Sequence, residues 1–304
     1  MDKFIRYAIV IGAALIVLYL VVTCPGCSKN KSKEADPAPV SAQARVSGYK
    51  HQIPFIQDSY GFVGTRCDST TFTAALLAFA PFKIAVDLYL AETEPGKWER
   101  HAVDCYATDL NDDGKPDSVS ETSLEVYLMV LHRLLSMPDR QTARDELARI
   151  IAYGESNGWV MGQGPVEFTN ILVLVPLIYE MEYRFNNEGN AVKELTSKSF
   201  DFDSILKGHK GHVAAFIGLL QGRITGQVET AILLFFETLA GTFPSNPIYQ
   251  AMFHRFKDGD QSAVDDIVMN DYADMMDVNV GCHDWGSAPC GLCPIAAVGI
   301  AGGM

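Results

Sequence analysis

Phe4 to Thr23 is an almost unbroken apolar run of aliphatic and aromatic residues, interrupted only by Arg6 near its start. About 20 such residues in a helix match the hydrocarbon thickness of a bilayer, and a water-soluble fold has little use for so long an apolar stretch at one end of a chain. Lys3 and Arg6 stand at its front, as at the opening of a secretory signal. The run therefore divides the 304 residues into three parts. Residues 1–27 are expected to act as a membrane signal or anchor. Residues 28–47, rich in Lys, Ser, Ala and Pro and without apolar periodicity, are expected to form a disordered tether. Residues 48–304 are expected to form one ectodomain.

The sequence after the apolar run is Cys24-Pro25-Gly26-Cys27-Ser28, followed by the polar tract. Gly-Cys-Ser in that setting resembles a bacterial lipoprotein processing site. The resemblance implies that Cys27 carries the lipid; an uncleaved signal anchor is the other reading. Lys29, Lys31 and Lys33 lie on the far side of the run, so charge alone does not set its orientation.

The formal net charge is −13 and the pI about 4.9. A polyanion needs a basic face, so a nucleic-acid partner is not expected. An acidic surface suits an exported protein and leaves neutral glycans or cationic ligands open.

Beyond residue 48 the apolar spacing is helical almost throughout. Asp68 or Ser69 is placed to cap a helix through Phe72, Ala75, Leu76 and Phe79, which Pro81 ends. A second helix is expected over 82–92, closed by Pro95-Gly96. Ser120 is expected to cap a helix carrying Leu124, Tyr127, Leu128, Leu131 and Leu134, and Pro138 separates it from another over 140–153. Gly154 to Gly164 reads as a Gly-rich loop. Pro165 then opens a buried helix over 166–185, kinked at Pro176. Further helices are expected from Gly211-His212 to Leu220, over 225–240, over 248–256 and over 262–269. There is no series of alternating strands. The expected class is all-α.

The sharpest chemical signal is Asp109-Leu-Asn111-Asp-Asp113-Gly114-Lys115-Pro-Asp117. Oxygen-bearing side chains at positions 1, 3, 5 and 9, the Lys115 carbonyl at position 7 and a Gly at position 6 are the spacing by which a short loop wraps Ca²⁺. Position 12 is Ser120 where an EF-hand has Glu, with Glu121 one place later, so the calcium loop is taken as 109–121. In this it resembles the extracellular calcium loops of dockerin, thrombospondin-type and FG-GAP proteins. Ca²⁺ is the expected cofactor. Calcium at extracellular concentration would fill a weak site of this kind, which also favours export.

Seven cysteines are present. Cys24 and Cys27 belong to the N-terminal segment. Cys67 with Cys105 is the first expected pair, since both flank helix ends beside the calcium loop, and Cys282 with Cys290 or Cys293 is the second. A zinc site from Cys282, His283, Cys290 and Cys293 is disfavoured, because adjacent Cys and His can hardly both reach one ion.

No nucleophile elbow, P-loop, dinucleotide fingerprint or His-Glu-x-x-His site is present. Polar and aromatic residues instead gather at helix starts and inter-helix loops: Arg66, Asp68, Glu121, Glu155, Trp159, His212, Asp284 and Trp285. Paired carboxylates flanked by Trp rings suit glycoside chemistry. Each residue also has a structural reading, as helix cap, N-terminal charge or core.

Arg66-Cys-Asp-Ser69, Gly158-Trp-Val-Met-Gly162, Gly211-His212, Pro244-Ser-Asn-Pro247 and Asp284-Trp-Gly286 together resemble the α/α-toroid proteins, the helical-hairpin barrels of several glycoside hydrolase and lyase families. The chain is short for six hairpins, so the resemblance implies a partial toroid. It also implies a glycan ligand in a cleft of helix ends. Asp68, Glu121 and Asp284, with His212, would be the acid and base candidates there, and Arg66, Trp159 and Trp285 the substrate-binding ones. The alternative is a non-catalytic envelope protein that binds a partner or ligand.

The calcium assignment has a direct check. Asp113→Ala should lower the melting temperature only when calcium is present, measured by thermal denaturation with and without a chelator. A calcium-dependent melt unchanged by the substitution would remove the assignment.

Overall fold

The structure is a computed structural model that describes residues 57–63, 69–80, 83–102, 121–163, 168–187, 205, 211–244 and 246–257. The apolar N-terminal run, the tether, residues 109–120 of the calcium loop, Arg66, Asp68, Asp284, Trp285 and all seven cysteines lie outside the described residues. Among the described residues no helix is long and apolar enough to cross a membrane. The expected all-α class holds for this part of the chain, with two short β-hairpins added.

The centre is helix α2, Leu124–Ser136. Ser123 caps it, its Oγ accepting the Val126 N–H at 3.4 Å; the expected cap, Ser120, lies three residues too early. Every residue from Val126 to Leu134 is buried, so the helix is surrounded rather than amphipathic. Helix α1, Ser69–Phe79, packs along it. Ala74, Ala75 and Ala78 are fully buried, and such small side chains allow close approach of the two backbones.

Two helices come between α2 and the third buried one. Helix α3, Arg140–Ser156, folds back after a three-residue connection, with Asp139 capping the Gln141 and Thr142 N–H groups. Helix α4, Val175–Asn186, runs antiparallel to α3: the Arg144 guanidinium, near the start of α3, donates to the Phe185 carbonyl near the end of α4. Helix α5, Gly211–Thr225, returns to the core and is buried from Val213 to Gly222.

Helices α1, α2 and α5 run parallel. At one end the Arg100 backbone bridges Thr70, beside the start of α1, to Glu121, just before α2. There Glu125 of α2 also lies 3.9 Å from His212 of α5. At the other end one polar network ties all three. His132 is fully buried. Its Nε2 donates to the Phe216 carbonyl of α5 at 3.0 Å, and its Nδ1 accepts from Arg223 Nη1 at 3.1 Å. Arg223 also donates to the His132 carbonyl and to Ser136 Oγ, and Ser136 Oγ donates to the Ala78 carbonyl of α1 at 2.8 Å. Burial and the Arg223 charge hold His132 well below its ordinary pKa, so the ring is neutral, as a histidine that both donates and accepts must be.

The outer elements cover this trio. Between α2 and α3 lies a buried ion pair: Arg133 Nη1 meets Glu146 Oε1 and Oε2 at 2.7 and 2.9 Å, Tyr89 Oη donates to the same carboxylate, and the guanidinium sits over the Tyr89 ring. Helices α6, Thr230–Thr242, and α7, Pro247–Lys257, form an antiparallel hairpin with Phe236 against Phe256 and Phe243 against Tyr249.

Two expectations are corrected. The helix expected over 82–92 is a 3₁₀ turn, Leu88–Ala91, leading into strand β1, Glu92–Glu94, which pairs with β2, Lys97–Trp98. Gly96, at φ +85°, makes the tight turn, and its Cα lies so close to the Arg149 carbonyl that no side chain fits. The helix expected over 166–185, kinked at Pro176, begins only at Val175. Strand β4, Phe168–Asn170, and a 3₁₀ turn, Leu172–Leu174, precede it, and Pro176 sits in its first turn. Proline at that position gives up no helical hydrogen bond. Strand β4 pairs with β3, Val160–Gln163, where the Gly-rich loop was expected.

Arg133→Ala should destabilise the fold by about 3 to 5 kcal/mol, because it leaves the fully buried Glu146 carboxylate uncompensated. Denaturant unfolding would measure it. The double substitution R133M/E146L should recover most of that loss, and a single variant within error of the native chain would show that the pair carries no structural weight.

Candidate functional site

Trp159 follows directly from the end of α3. The last turn closes on Asn157, whose N–H meets the Gly154 and Tyr153 carbonyls, and the Trp159 N–H returns to the Gly154 carbonyl at 2.7 Å. Gly158 and Trp159 then both take positive φ, +61° and +64°. A tryptophan in the left-handed region is uncommon and costs energy. Packing holds it there: its indole lies flat against Gly154, leaving no room for a Cβ at that position, and the Ile171 N–H bonds to its carbonyl. Gly154 thus belongs to the helix and serves as a seat for the ring.

The half-buried indole meets the exposed Tyr179 of α4 edge to face, at a centroid distance of 5.8 Å. Tyr179 Oη donates to Glu155 Oε1 at 2.7 Å, and this bond is the main cause that pushes the phenol up to about 12. Tyr183, one turn further along α4, is also exposed, as are Val160, next to Trp159 in the chain, and Leu172. The result is an aromatic face with a carboxylate fixed at its edge. Of the sequence-derived binding residues, Trp159 is half-buried, packed against the hydrophobic core.

Glu121, an expected acid or base, is committed to its surroundings. Its Oε2 accepts the Gln163 N–H at 3.2 Å and faces Lys97 Nζ at 3.6 Å, while its backbone N–H donates to the Gln163 carbonyl at 2.8 Å. Lys97 also lies 3.3 Å from Glu99 and 3.7 Å from Glu94. Burial would lower the Lys97 pKa, but the charges of Glu121 and Glu99 outweigh it and raise it. Glu121 is therefore the anionic partner of a lysine. Glu121 is also the one residue of the expected calcium loop that is described, and among the described residues no group of acidic, His or Cys side chains is arranged to hold a metal.

His212, the other catalytic candidate described, stands at the start of α5 beside Glu125. Burial would raise the Glu125 pKa. Contacts with His212, its own backbone N–H and Ser123, together with the Arg100 charge, bring it down to about 2.

One further acid–histidine contact lay outside the sequence reading. His101 Nε2 is 2.6 Å from Asp58 Oδ2, and Asp58 also receives the Tyr60 and Phe62 N–H groups. These bonds outweigh the upward push of burial and hold the Asp58 carboxyl below its usual range. The two residues are 43 apart in sequence, so no local spacing announces them.

Comparison of the chain with the known protein families, with curated proteins and with solved structures gives no match. The class defined by the described residues is an all-α fold with a buried parallel trio of helices and an outer aromatic face.

The Glu125–His212 contact predicts a pH dependence. A carboxyl whose pKa is about 2 when folded and about 4.5 when unfolded adds stability above the unfolded value, and that stability is lost as pH falls between the two. Glu125→Gln should therefore melt below the native chain at neutral pH, and the gap should close as pH falls through this window. A gap independent of pH would place the effect in packing instead.

Proposed function

We propose that the chain is a membrane-tethered, extracytoplasmic helical domain that binds a neutral glycan, and that it works by capture rather than by hydrolysis. The observation that carries this reading is the face of Trp159 and Tyr179 with Glu155 at its edge: stacking surface and a fixed hydrogen-bond acceptor side by side. A flat sugar ring offers apolar C–H groups to such a surface and hydroxyls to such an acceptor. The strained backbone at Trp159 supports the same reading, since strain that packing must maintain collects at working sites.

The hydrolase reading has less support. It assigns acid and base roles to Asp68, Glu121 and Asp284. Glu121 is neutralised by Lys97, and Glu155, the other carboxylate near the aromatic face, is hydrogen-bonded by Tyr179. A hydrolytic acid needs an open path to the glycosidic oxygen, whereas Lys97 and Tyr179 already occupy these two carboxylates. A partial toroid remains the proposed frame, supported by the hairpin of α2 with α3. The tether rests on the apolar run Phe4 to Thr23, and the stabilising Ca²⁺ on the Asp109, Asn111, Asp113, Lys115 and Asp117 loop.

Intrinsic fluorescence of the full chain, titrated with neutral oligosaccharides, tests the proposal. Trp98 is fully buried and insensitive, so the response should come from Trp159 or Trp285, and the Trp159→Ala variant separates the two. Trp159→Ala should weaken binding by about tenfold or more, as loss of a central aromatic anchor does. A native chain that binds no neutral oligosaccharide contradicts the proposal. Release of new reducing ends from a polysaccharide would return the hydrolase reading.

A further inference from the structure

Between Arg140 and Glu155 the exposed positions of α3 fall on one line: Gln141, Asp145, Ala148, Ala152 and Glu155. Steps of four and three residues in turn keep to a single side of a helix. That side borders α4. Its last member, Glu155, accepts the Tyr179 hydroxyl, and its first three members line a pocket shared with α4. Helix α4 has a line of its own, Tyr179, Tyr183 and Asn186, with the same steps. The helices are antiparallel, so the two lines run side by side. They lead from Trp159 and Tyr179 at one end to the pocket at the other. Between these ends α3 presents only the methyl groups of Ala148 and Ala152, opposite the exposed Tyr183, which leaves room for a chain lying along the groove.

The pocket has a volume of about 380 Å³, within the range of small-molecule sites, about 300 to 1,000 Å³. The buried Phe185 and Leu147 form its floor. Its walls carry acceptors and donors together: the carboxylates of Asp145 and Glu182 and the carboxamides of Gln141 and Asn186. Gln141 Nε2 donates to Asp145 Oδ1 at 2.8 Å, and Arg144 Nε, on the same wall, donates to the Phe185 carbonyl at 2.9 Å. The side chains of Glu182 and Asn186 have no hydrogen-bond partner among the described residues. Mixed acceptors and amide donors above an apolar floor suit a ring with hydroxyl edges and C–H faces, and two carboxylates disfavour an anionic one.

Seven residues of α3 separate Ala148 at the pocket from Glu155 at the aromatic face, about 10 Å along the helix axis. One sugar ring stacked on Trp159 and Tyr179 does not span that distance. A chain of rings does.

We propose that the groove between α3 and α4 is an extended oligosaccharide site. One unit stacks on Trp159 and Tyr179, and another, further along the same neutral chain, enters the pocket of Asp145, Ala148, Glu182 and Asn186. This rests on the glycan reading and adds to it a second point of contact and a ligand longer than one sugar.

Isothermal titration calorimetry on the full chain tests it. The probes are glucose with the tetrasaccharides of cellulose and starch, and N-acetylglucosamine with the tetrasaccharide of chitin. A tetrasaccharide that binds should do so at least about tenfold more tightly than its own monosaccharide, because the first contact holds the second at high effective concentration. Ala148→Arg puts a long cation into the pocket beside Asp145 and Glu182. The position is exposed and arginine favours helix, so the variant should keep the native fold, which its thermal melt checks. It should bring the tetrasaccharide down to the affinity of the monosaccharide. Glu182→Ala breaks no hydrogen bond among the described residues and should lower tetrasaccharide affinity by about threefold or more, through loss of an acceptor. Equal affinities of monosaccharide and tetrasaccharide for the native chain overturn the extended site and leave the aromatic face standing. Tighter tetrasaccharide binding that neither substitution weakens also overturns it, because the ligand then leaves the aromatic face in another direction. Binding of none of these sugars removes the glycan reading and this inference with it.

Discussion

Three helices lying parallel carry their dipoles the same way, so their carbonyl ends gather at one pole and their N–H ends at the other. Antiparallel helices cancel this cost; a parallel trio needs charge brought to its ends. Here that charge comes from Arg223 at the carbonyl pole and Glu125 in the first turn of α2 at the other. His132 makes the arrangement possible. Neutral and fully buried, it turns one face to a carbonyl of α5 and the other to the arginine of α5, so the register of α2 against α5 is fixed by two bonds from one ring. Ser136 extends the same network to α1. Buried polar networks gain little net stability, but a misregistered one leaves every member unsatisfied, which is how such a network selects a single packing.

The aromatic face stands on that frame at one remove. Helix α3 is anchored to α2 by the Arg133–Glu146 pair and to β1 by the bidentate Arg149–Glu92 pair, at 2.8 Å for both bonds. With its position set twice, its end delivers Gly154, Glu155 and the turn to Trp159 to a fixed place, and α4 brings Tyr179 alongside. The aromatic face is therefore built on two packed helices and a short hairpin. Its side chains would need little ordering to hold the proposed ligand.

The long helices α2, α3, α5 and α7 were legible because their apolar spacing and their end signals agree: Pro138 after α2, Asp139 before α3, Gly211 at the start of α5, Pro247 at the start of α7. The hairpins were not. Glu92-Thr-Glu-Pro-Gly-Lys-Trp98 has strand-like content only through pairing with its own other half, and each strand is too short for a period to show. Pro176 was read as a kink inside a long apolar run when it marks the helix start, since an all-apolar segment has no phase from which to place the first turn. Gly154 was read as the start of a Gly-rich loop, although it lies in α3 and is required by the indole laid against it. At the site, Trp159 was legible as a loop-end aromatic. The lysine that neutralises Glu121 and the pairing of Asp58 with His101 were not, because both are contacts between residues far apart in sequence. His132 gave no sequence signal at all: a single histidine among leucines shows neither its partners nor its charge state.

The central claim is that α1, α2 and α5 form one cooperative unit held at its carbonyl pole by His132, Arg223 and Ser136. Native-state hydrogen exchange on the full chain measures this most directly. The account predicts that interior amides of all three helices open with a single free energy equal to that of global unfolding, while amides in the turn from Asn157 to Val160 open at lower cost. If α1 or α5 exchanges by an opening of its own, well below the global value, the network does not bind the trio into one unit and the account fails.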